Sequence, residues 1–335
     1  MTSARQLRSM CLILGLASSI SDFAFGDDWP AWRHDAQRSA VTRETLPAKL
    51  FPMWTWSLEQ NHIAWQEDPR LHFDASYEPI VVGNRMVVAS ARTNSVTAFD
   101  TDSGDQLWRF LTDTPVRLAP FAHKDKVYFG ADDGCLHCLD IADGREVWKI
   151  QAAPTNRLVL GNSRLVSMWP ARGGVVISKD KAYFTVGVWP FEGCMLCQVN
   201  IDGASPVLRT QMLEDVSPQG HLSLSNDLVY IPTGRGQAIC FDAKKFRPVA
   251  VPYTASGGTT EAHVASPEGV LLHGDAVFLE NLGQQVSSRL LSRSPIDGGL
   301  FCRRIELFAG HQDSCFYRRA ATRCYRQCQR GAVPT

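Results

Sequence analysis

The sequence predicts an all-β chain assembled from repeated four-stranded antiparallel units, and two observations carry that expectation. The stretch VTAFDTDSGDQLWRF, residues 96 to 110, returns as LHCLDIADGREVWKI, residues 136 to 150; the pairs Asp100/Asp140, Gly104/Gly144 and Trp108/Trp148 are each forty positions apart. Upstream, NRMVVASARTNSVTAFD (84 to 100) aligns with KDKVYFGADDGCLHCLD (124 to 140) without a gap. Alternating runs rich in β-branched and aromatic residues, bounded by polar turns, read as strands joined in hairpins. A constant period marks a stacked repeat.

Each position of the repeat has a mechanical reading. In DSGD and ADGR the glycine supplies the left-handed backbone that a tight hairpin needs. The tryptophan, four residues later, is read as the contact that docks one unit on the next, since a lone four-stranded unit cannot bury its own faces. Weaker copies follow at 179 to 200, 226 to 242 and 274 to 281. The third lacks a residue before Gly203 and has no tryptophan, and the fourth has Phe246 and Pro248 where the turn and the tryptophan are expected. Radial closure protects the edges of such sheets, which makes a β-propeller the expected architecture. After Gly26, 309 residues remain, enough for about five to seven blades at this spacing. Four or five are detectable, so ring closure stays open.

Three segments are expected. Residues 1–26, MTSARQLRSMCLILGLASSISDFAFG, carry Arg5 and Arg8, an apolar run too short for a comfortable membrane span, and small residues before the acidic DDW; this is the pattern of a secretory signal peptide. A buried N-terminal helix is the other reading. The repeat domain occupies 27–300. Residues 301–335 hold seven arginines, no lysine and four cysteines without alternation; they read either as a solvated basic tail or as a segment that does not continue the propeller. The chain is therefore expected to be exported, periplasmic or extracellular, with no membrane span after cleavage. Lysine plus arginine and aspartate plus glutamate number 34 each, which removes the electrostatic term that nucleic-acid binders depend on.

Several motifs suggest chemistry and do not sustain it. Cys135/Cys138 and Cys194/Cys197 form two C-x-x-C pairs. On a strand, i and i+3 face opposite sides, so neither pair converges on one ion and core packing is the better reading. Neither pair is followed by histidine, which excludes a covalent haem motif. TGRGQA (233 to 238) is flanked by strand patterns rather than by a helix that would cradle phosphate. His137 reads as a half-exposed structural residue.

The pattern small–apolar–Asp–x–x–(Ser/Asp)–Gly–x–x–x–Trp resembles the tryptophan-docking motif of pyrroloquinoline quinone (PQQ) type propeller repeats, over roughly residues 28 to 290. That family includes quinoprotein alcohol dehydrogenases and the non-enzymatic lipoprotein that assists outer-membrane barrel assembly. LGNSRLVSMWPARGG (160 to 174) and VGVWPFEG (186 to 193) are further similar to a secreted PQQ-like group abundant in planctomycete-type bacteria. The resemblance implies that DWPAWRHDAQRSAVT (28 to 42) and LFPMWTWSL (50 to 58) supply the strand that completes the last blade and closes the ring.

A dehydrogenase of that family needs Ca²⁺ held by Glu, Asn and Asp, an Asp base, and stacking groups that often include adjacent cysteines. The chain has no Cys-Cys dipeptide, and none of its acids aligns to those roles. No catalytic or metal-binding residue is assigned. The leading expectation is a non-catalytic exported scaffold that binds protein or an extracellular polymer through its loops; the alternative is a PQQ- and calcium-dependent alcohol or sugar dehydrogenase, degenerate or truncated. Loops on a rigid scaffold are where binding residues concentrate, so Trp169, Arg172, Trp189 and Glu192 are taken as the binding surface.

Overall fold

The alternating runs form strands where the sequence places them. The computed structural model describes residues 27–249, except 43, 47, 68–72, 162, 203–205, 226 and 234–238, and the backbone of four strands between 264 and 287. The expected signal peptide, the 301–335 segment, and residues 234–238 of TGRGQA lie outside the described residues. The first sheet comprises β1 (Ile80–Val82), β2 (Arg85–Ser90), β3 (Ser95–Asp100) and β4 (Gln106–Leu111). The second comprises β5 (Phe121–His123), β6 (Lys126–Gly130), β7 (Cys135–Asp140) and β8 (Glu146–Gln151). A hairpin, β9 (Leu158–Gly161) and β10 (Arg164–Ser167), precedes the short β11 (Gly173–Gly174).

The third sheet is β12 (Val176–Ser178), β13 (Lys181–Val186), β14 (Cys194–Asn200) and β15 (Val207–Leu213). β16 (Gly220–His221) pairs in parallel with β11 and leads to the fourth sheet, β17 (Ser223–Ser225), β18 (Leu228–Ile231), β19 (Ile239–Asp242) and β20 (Arg247–Val249). A fifth is formed by β21 (Val264–Ala265), β22 (Val270–His273), β23 (Ala276–Leu279) and β24 (Gln284–Ser287). Every four-stranded sheet is an antiparallel meander in chain order. Their first strands β1, β5, β12, β17 and β21 follow one another as neighbours, so the sheets radiate as propeller blades.

The repeat motif is now explicable atom by atom. Asp100 Oδ1 accepts the backbone N–H groups of Asp102 and Ser103 at 2.9 Å each, and Asp140 Oδ1 accepts that of Ala142 at 2.9 Å. These turn-closing bonds hold both carboxyls below their usual range. Gly104 and Gly144 follow at φ 77° and 72°, each donating its N–H to the acid's carbonyl at 2.9 Å. A β-bulge beside Ala98/Phe99 and another beside Cys138/Leu139 then re-aim the outer strand just before Trp108 and Trp148.

Trp108 is buried, and its Nε1 donates 3.0 Å to the carbonyl of Ile141 in the next blade's turn. Its ring lies so close to Gly144 that a Cβ there would meet it at 2.5 Å. The same geometry appears one step earlier: Trp54 Nε1 donates 2.8 Å to Thr101 O, and a Cβ on Gly104 would meet the Trp54 ring at 2.7 Å. Trp54 therefore docks on the first blade as a preceding blade's tryptophan would. Trp148 is half-buried, lies 5.8 Å from Tyr128 by ring centroids, and lines a cleft with Ile201 and Asp202 of the third blade's turn.

The degenerate third and fourth copies use the seam in reverse. Phe246 takes the glycine's place, with φ 54° and its N–H donating 2.7 Å to Asp242 O. Arg209 faces Gln198 across β14–β15, as Trp148 faces Cys138, and its guanidinium sits 4.8 Å from the Phe246 ring. Tyr183 Oη and Gln198 Nε2 each donate 3.2 Å to Ala243 O, the carbonyl equivalent to those of Thr101 and Ile141. Here the aromatic ring comes from the receiving turn.

The 28 to 42 segment does something other than extend a last blade. Trp29 exchanges backbone bonds with Val81 of β1, Pro30 O accepts from Ala122 of β5, and Ala36 O accepts from Leu224 of β17. Arg38 is buried and donates 2.8 Å to Leu222 O and 2.9 Å to Val175 O. This strap thus joins four successive blades near their inner strands. Burial lowers the Arg38 pKa to about 10, which leaves it charged at neutral pH.

Gly144→Ala is expected to cost more than the roughly 1–2 kcal/mol of a left-handed non-glycine residue, because Trp108 must also move. Phe246→Ala is expected to cost about 3–5 kcal/mol by emptying the inverted seam. Urea unfolding read by tryptophan fluorescence measures both. A neutral outcome for either variant is incompatible with the docking described.

Candidate functional site

A buried polar hub lies beneath the inner strands. Asp132 follows β6, its N–H fixed 2.9 Å from Pro115 O. Both of its oxygens are taken: Arg117 Nε donates 2.7 Å to Oδ2, while Arg172 donates 3.1 Å to Oδ1 and 3.2 Å to Oδ2. Arg117 also reaches Asp74 Oδ2 at 2.7 Å and His62 O at 2.8 Å. Asp74 further accepts the N–H of Ala64. The four charged side chains are all buried. Trp65 lies under the Arg172 guanidinium at 5.7 Å and donates its Nε1 to Gln219 Oε1 at 2.5 Å.

The charges respond to this pairing. Burial opposes ionisation of Asp132, yet Arg172 and Arg117 outweigh it and hold the carboxyl below its usual range. For Asp74 burial wins over Arg117, and its carboxyl is raised. Next to the hub, His221 bonds Glu78 at 2.6 Å and stacks on Trp32 at 4.3 Å. Burial pushes the His221 pKa down. Gly173 and Gly174 permit this crowding, because a Cβ would meet Thr185 Oγ1 at 2.0 Å and His221 Nδ1 at 2.6 Å.

A flat quinone with Ca²⁺ needs carboxylates aimed at a shared point and an open slot between aromatic faces. In the hub Asp132, Asp74 and Glu78 already hold partners from the chain itself. Among the described residues no three His, Cys, Asp or Glu groups are arranged to hold a metal ion. The described hub does not fit that group.

The residues expected to form a binding surface are not brought together on one. Trp169 is buried, with its Nε1 donating 2.8 Å to Glu192 O, so it braces the β13–β14 connection. Arg172 belongs to the hub. Trp189 and Glu192 are part-exposed on that connection, with Glu192 3.4 Å from Arg157. Their irregular stretch predicts surface for the arginine and the tryptophan, but their partners, Asp132 forty residues away and the Glu192 carbonyl, are invisible to local pattern.

His137 is likewise buried rather than half-exposed. Its ring is stacked on Phe129 at 5.0 Å, and its two nitrogens lie 3.1 Å from Asp133 and 3.2 Å from Glu146. Cys135, Cys138, Cys194 and Cys197 are free and buried, and burial lifts the Cys194 thiol to about 12. A thiol so placed packs as a small apolar group.

The β9–β10 hairpin presents a different surface. Val159 and Val166 turn inward, while Leu158, Leu160 and Leu165 face solvent, 54%, 77% and 60% exposed. Beside Leu165 lies a cleft of about 380 Å³ bordered by Arg92, Asn94, Asp113 and Arg164. The alternation L-V-L…L-V in the sequence is the local signal for this face.

Comparison with known proteins gives a consistent family and a fold. A family profile described as outer membrane protein assembly factor BamB matches residues 30–299. A 1-butanol dehydrogenase (cytochrome c) of Thauera butanivorans is 29% identical over 150 residues, which are 42% of this chain and 20% of that protein. A 1-butanol dehydrogenase (quinone) of the same organism is 25% identical over 134 residues, 37% of this chain and 20% of that protein. The chain thus spans about a fifth of these curated relatives. The quinohemoprotein alcohol dehydrogenase of Comamonas testosteroni superposes with TM-score 0.58 at 15% identity, over 76% of this chain and 48% of that one. At that identity the likeness is one of fold.

Asp132→Asn is expected to lower unfolding free energy by about 3–5 kcal/mol, the usual cost of breaking a buried pair from one side. Asp74→Asn is expected to cost less, since burial already disfavours its charge. Asp132 has a depressed folded pKa, so its contribution is present at neutral pH and is lost on acidification below about 5. Urea titrations across pH should show a shallower acid decline for Asp132→Asn than for the parent.

Proposed function

This chain belongs to the family described as outer membrane protein assembly factor BamB, and on that premise we propose that it is an exported, non-catalytic propeller scaffold that binds protein through loops between its blades. The observation that supports this most is the state of the described hub, where Asp132, Asp74 and Glu78 are each paired with the chain's own arginine or histidine. Hub groups so paired hold the blades rather than a ligand. Binding then belongs to the periphery, in a periplasmic or extracellular setting, with a protein favoured over a polymer as partner. No helix among the described residues is long and apolar enough to cross a membrane.

A PQQ- and calcium-dependent alcohol or sugar dehydrogenase is the second reading, favoured by the similarity to the two butanol dehydrogenases. Placed at the hub, such a cofactor and cation would compete with the Asp132 and Asp74 pairings.

The two readings separate on addition of PQQ and CaCl₂ to the purified protein. The scaffold reading expects no quinone absorbance retained after gel filtration, no rise in melting temperature, and no alcohol-dependent dye reduction. Retention of the quinone with a thermal shift and turnover would replace it with the second reading.

A further inference from the structure

The leucine face of the β9–β10 hairpin is a rigid, outward-facing apolar surface with a basic border. Leu160 pairs directly opposite Leu165, and Leu158 lies two residues along the same strand, so the three side chains share one face. Single exposed leucines are ordinary, but a contiguous set on one face signals an interaction surface. The hairpin is fixed to the frame. Ser167 N–H donates 2.7 Å to Asp132 O, and Arg164 donates 2.9 Å to Ala91 O, 3.1 Å to Arg92 O and 2.6 Å to Asn94 Oδ1.

Charge gives the surface a direction. Arg92 and Arg164 border the cleft that Leu165 enters, with Arg117 behind them and Asp113 opposite. Arg92 pairs only at the surface, with Glu59 at 2.9 Å. Burial and then the neighbouring arginines lower the pKa of both Arg164 and His62, a sign of positive potential there. The hairpin has two strands and no further strand beside it among the described residues, and outward residues on each strand recur about 7 Å apart, the repeat of an extended peptide.

Resting on the protein-binding reading, we propose that this face takes an extended segment of a partner protein, its alternate apolar side chains laid on Leu158, Leu160 and Leu165 and a carboxylate seated between Arg92 and Arg164. The probe is a labelled nine-residue peptide of alternating leucine and threonine ending in glutamate, added to the full-length protein and followed by fluorescence anisotropy. Binding is expected to weaken at least tenfold with Leu160→Glu/Leu165→Glu and with 0.5 M salt, and to weaken when proline interrupts the peptide. Arg92→Glu should weaken the glutamate peptide and strengthen its lysine analogue. All the substituted side chains are exposed, and unchanged melting temperatures confirm the fold. Absence of saturable binding, indifference to the leucine variants, or equal binding of the lysine analogue to the parent protein overturns this surface. Those outcomes leave the scaffold reading standing, since that reading falls only to the PQQ and dye-reduction result.

Discussion

A four-stranded sheet has two faces and can bury neither alone, so this structure depends on what fills the seams between sheets. Between the first and second sheets, and again where Trp54 seats on the first, the filler is an indole lying on a glycine of the receiving turn, with its N–H spent on the carbonyl just after the turn's acid. That single contact accounts for several features at once. The acid closes the turn, the glycine provides both the left-handed backbone and the missing Cβ, and the bulge points the tryptophan forward. Apolar burial and hydrogen-bond satisfaction are met by the same side chain, which is why the positions between them are free to vary.

At the axis the demands are different, because inner strands converge and polar turns are forced inside. Charges buried there are tolerable only when paired and saturated with hydrogen bonds. The hub meets that condition by placing Asp132 between two arginines, and the strap meets it by giving Arg38 to backbone carbonyls beside β12 and β17. Both devices use the planar, permanently charged guanidinium, which can serve several acceptors on different elements at once. Strap and hub together make the centre a structural joint.

Much of this frame was legible in the sequence, because its signals are local. Asp100, Gly104 and Trp108 lie within nine residues, and their spacing is set by one hairpin. The fourth repeat was harder. Phe246 reads as a lost glycine, yet the physical requirement is a left-handed residue plus an aromatic ring in the seam, and both are met once Arg209 replaces the tryptophan on the neighbouring blade. Compensation across blades has no local signature. The hub is illegible for the same reason, since Asp74, Arg117, Asp132 and Arg172 sit on separate connections and are united only by the packing of neighbouring blades. The strap's course shows the limit of resemblance: its tryptophans suggest strand completion, whereas residues 28–42 cross four blades and residues 50–58, which form no strand, seat Trp54 on the first blade's turn.

Two of the exposed apolar stretches among the described residues differ in their relation to the seams. Leu50, Phe51 and Met53 are 70%, 79% and 74% exposed, but they flank Trp54, which is engaged in the first blade's turn as an inter-blade tryptophan. Their exposure therefore lies beside the indole that seats on the first blade's turn. The hairpin leucines occupy no such place. β9 and β10 are additional to the four strands of either adjoining blade, their inner valines already fill the core, and Arg164 ties them to the first blade's turn. With its inner valines packed and Arg164 anchoring it, the hairpin holds Leu158, Leu160 and Leu165 at the surface, outside every seam formed by the described blades, where they answer to no contact of the repeat.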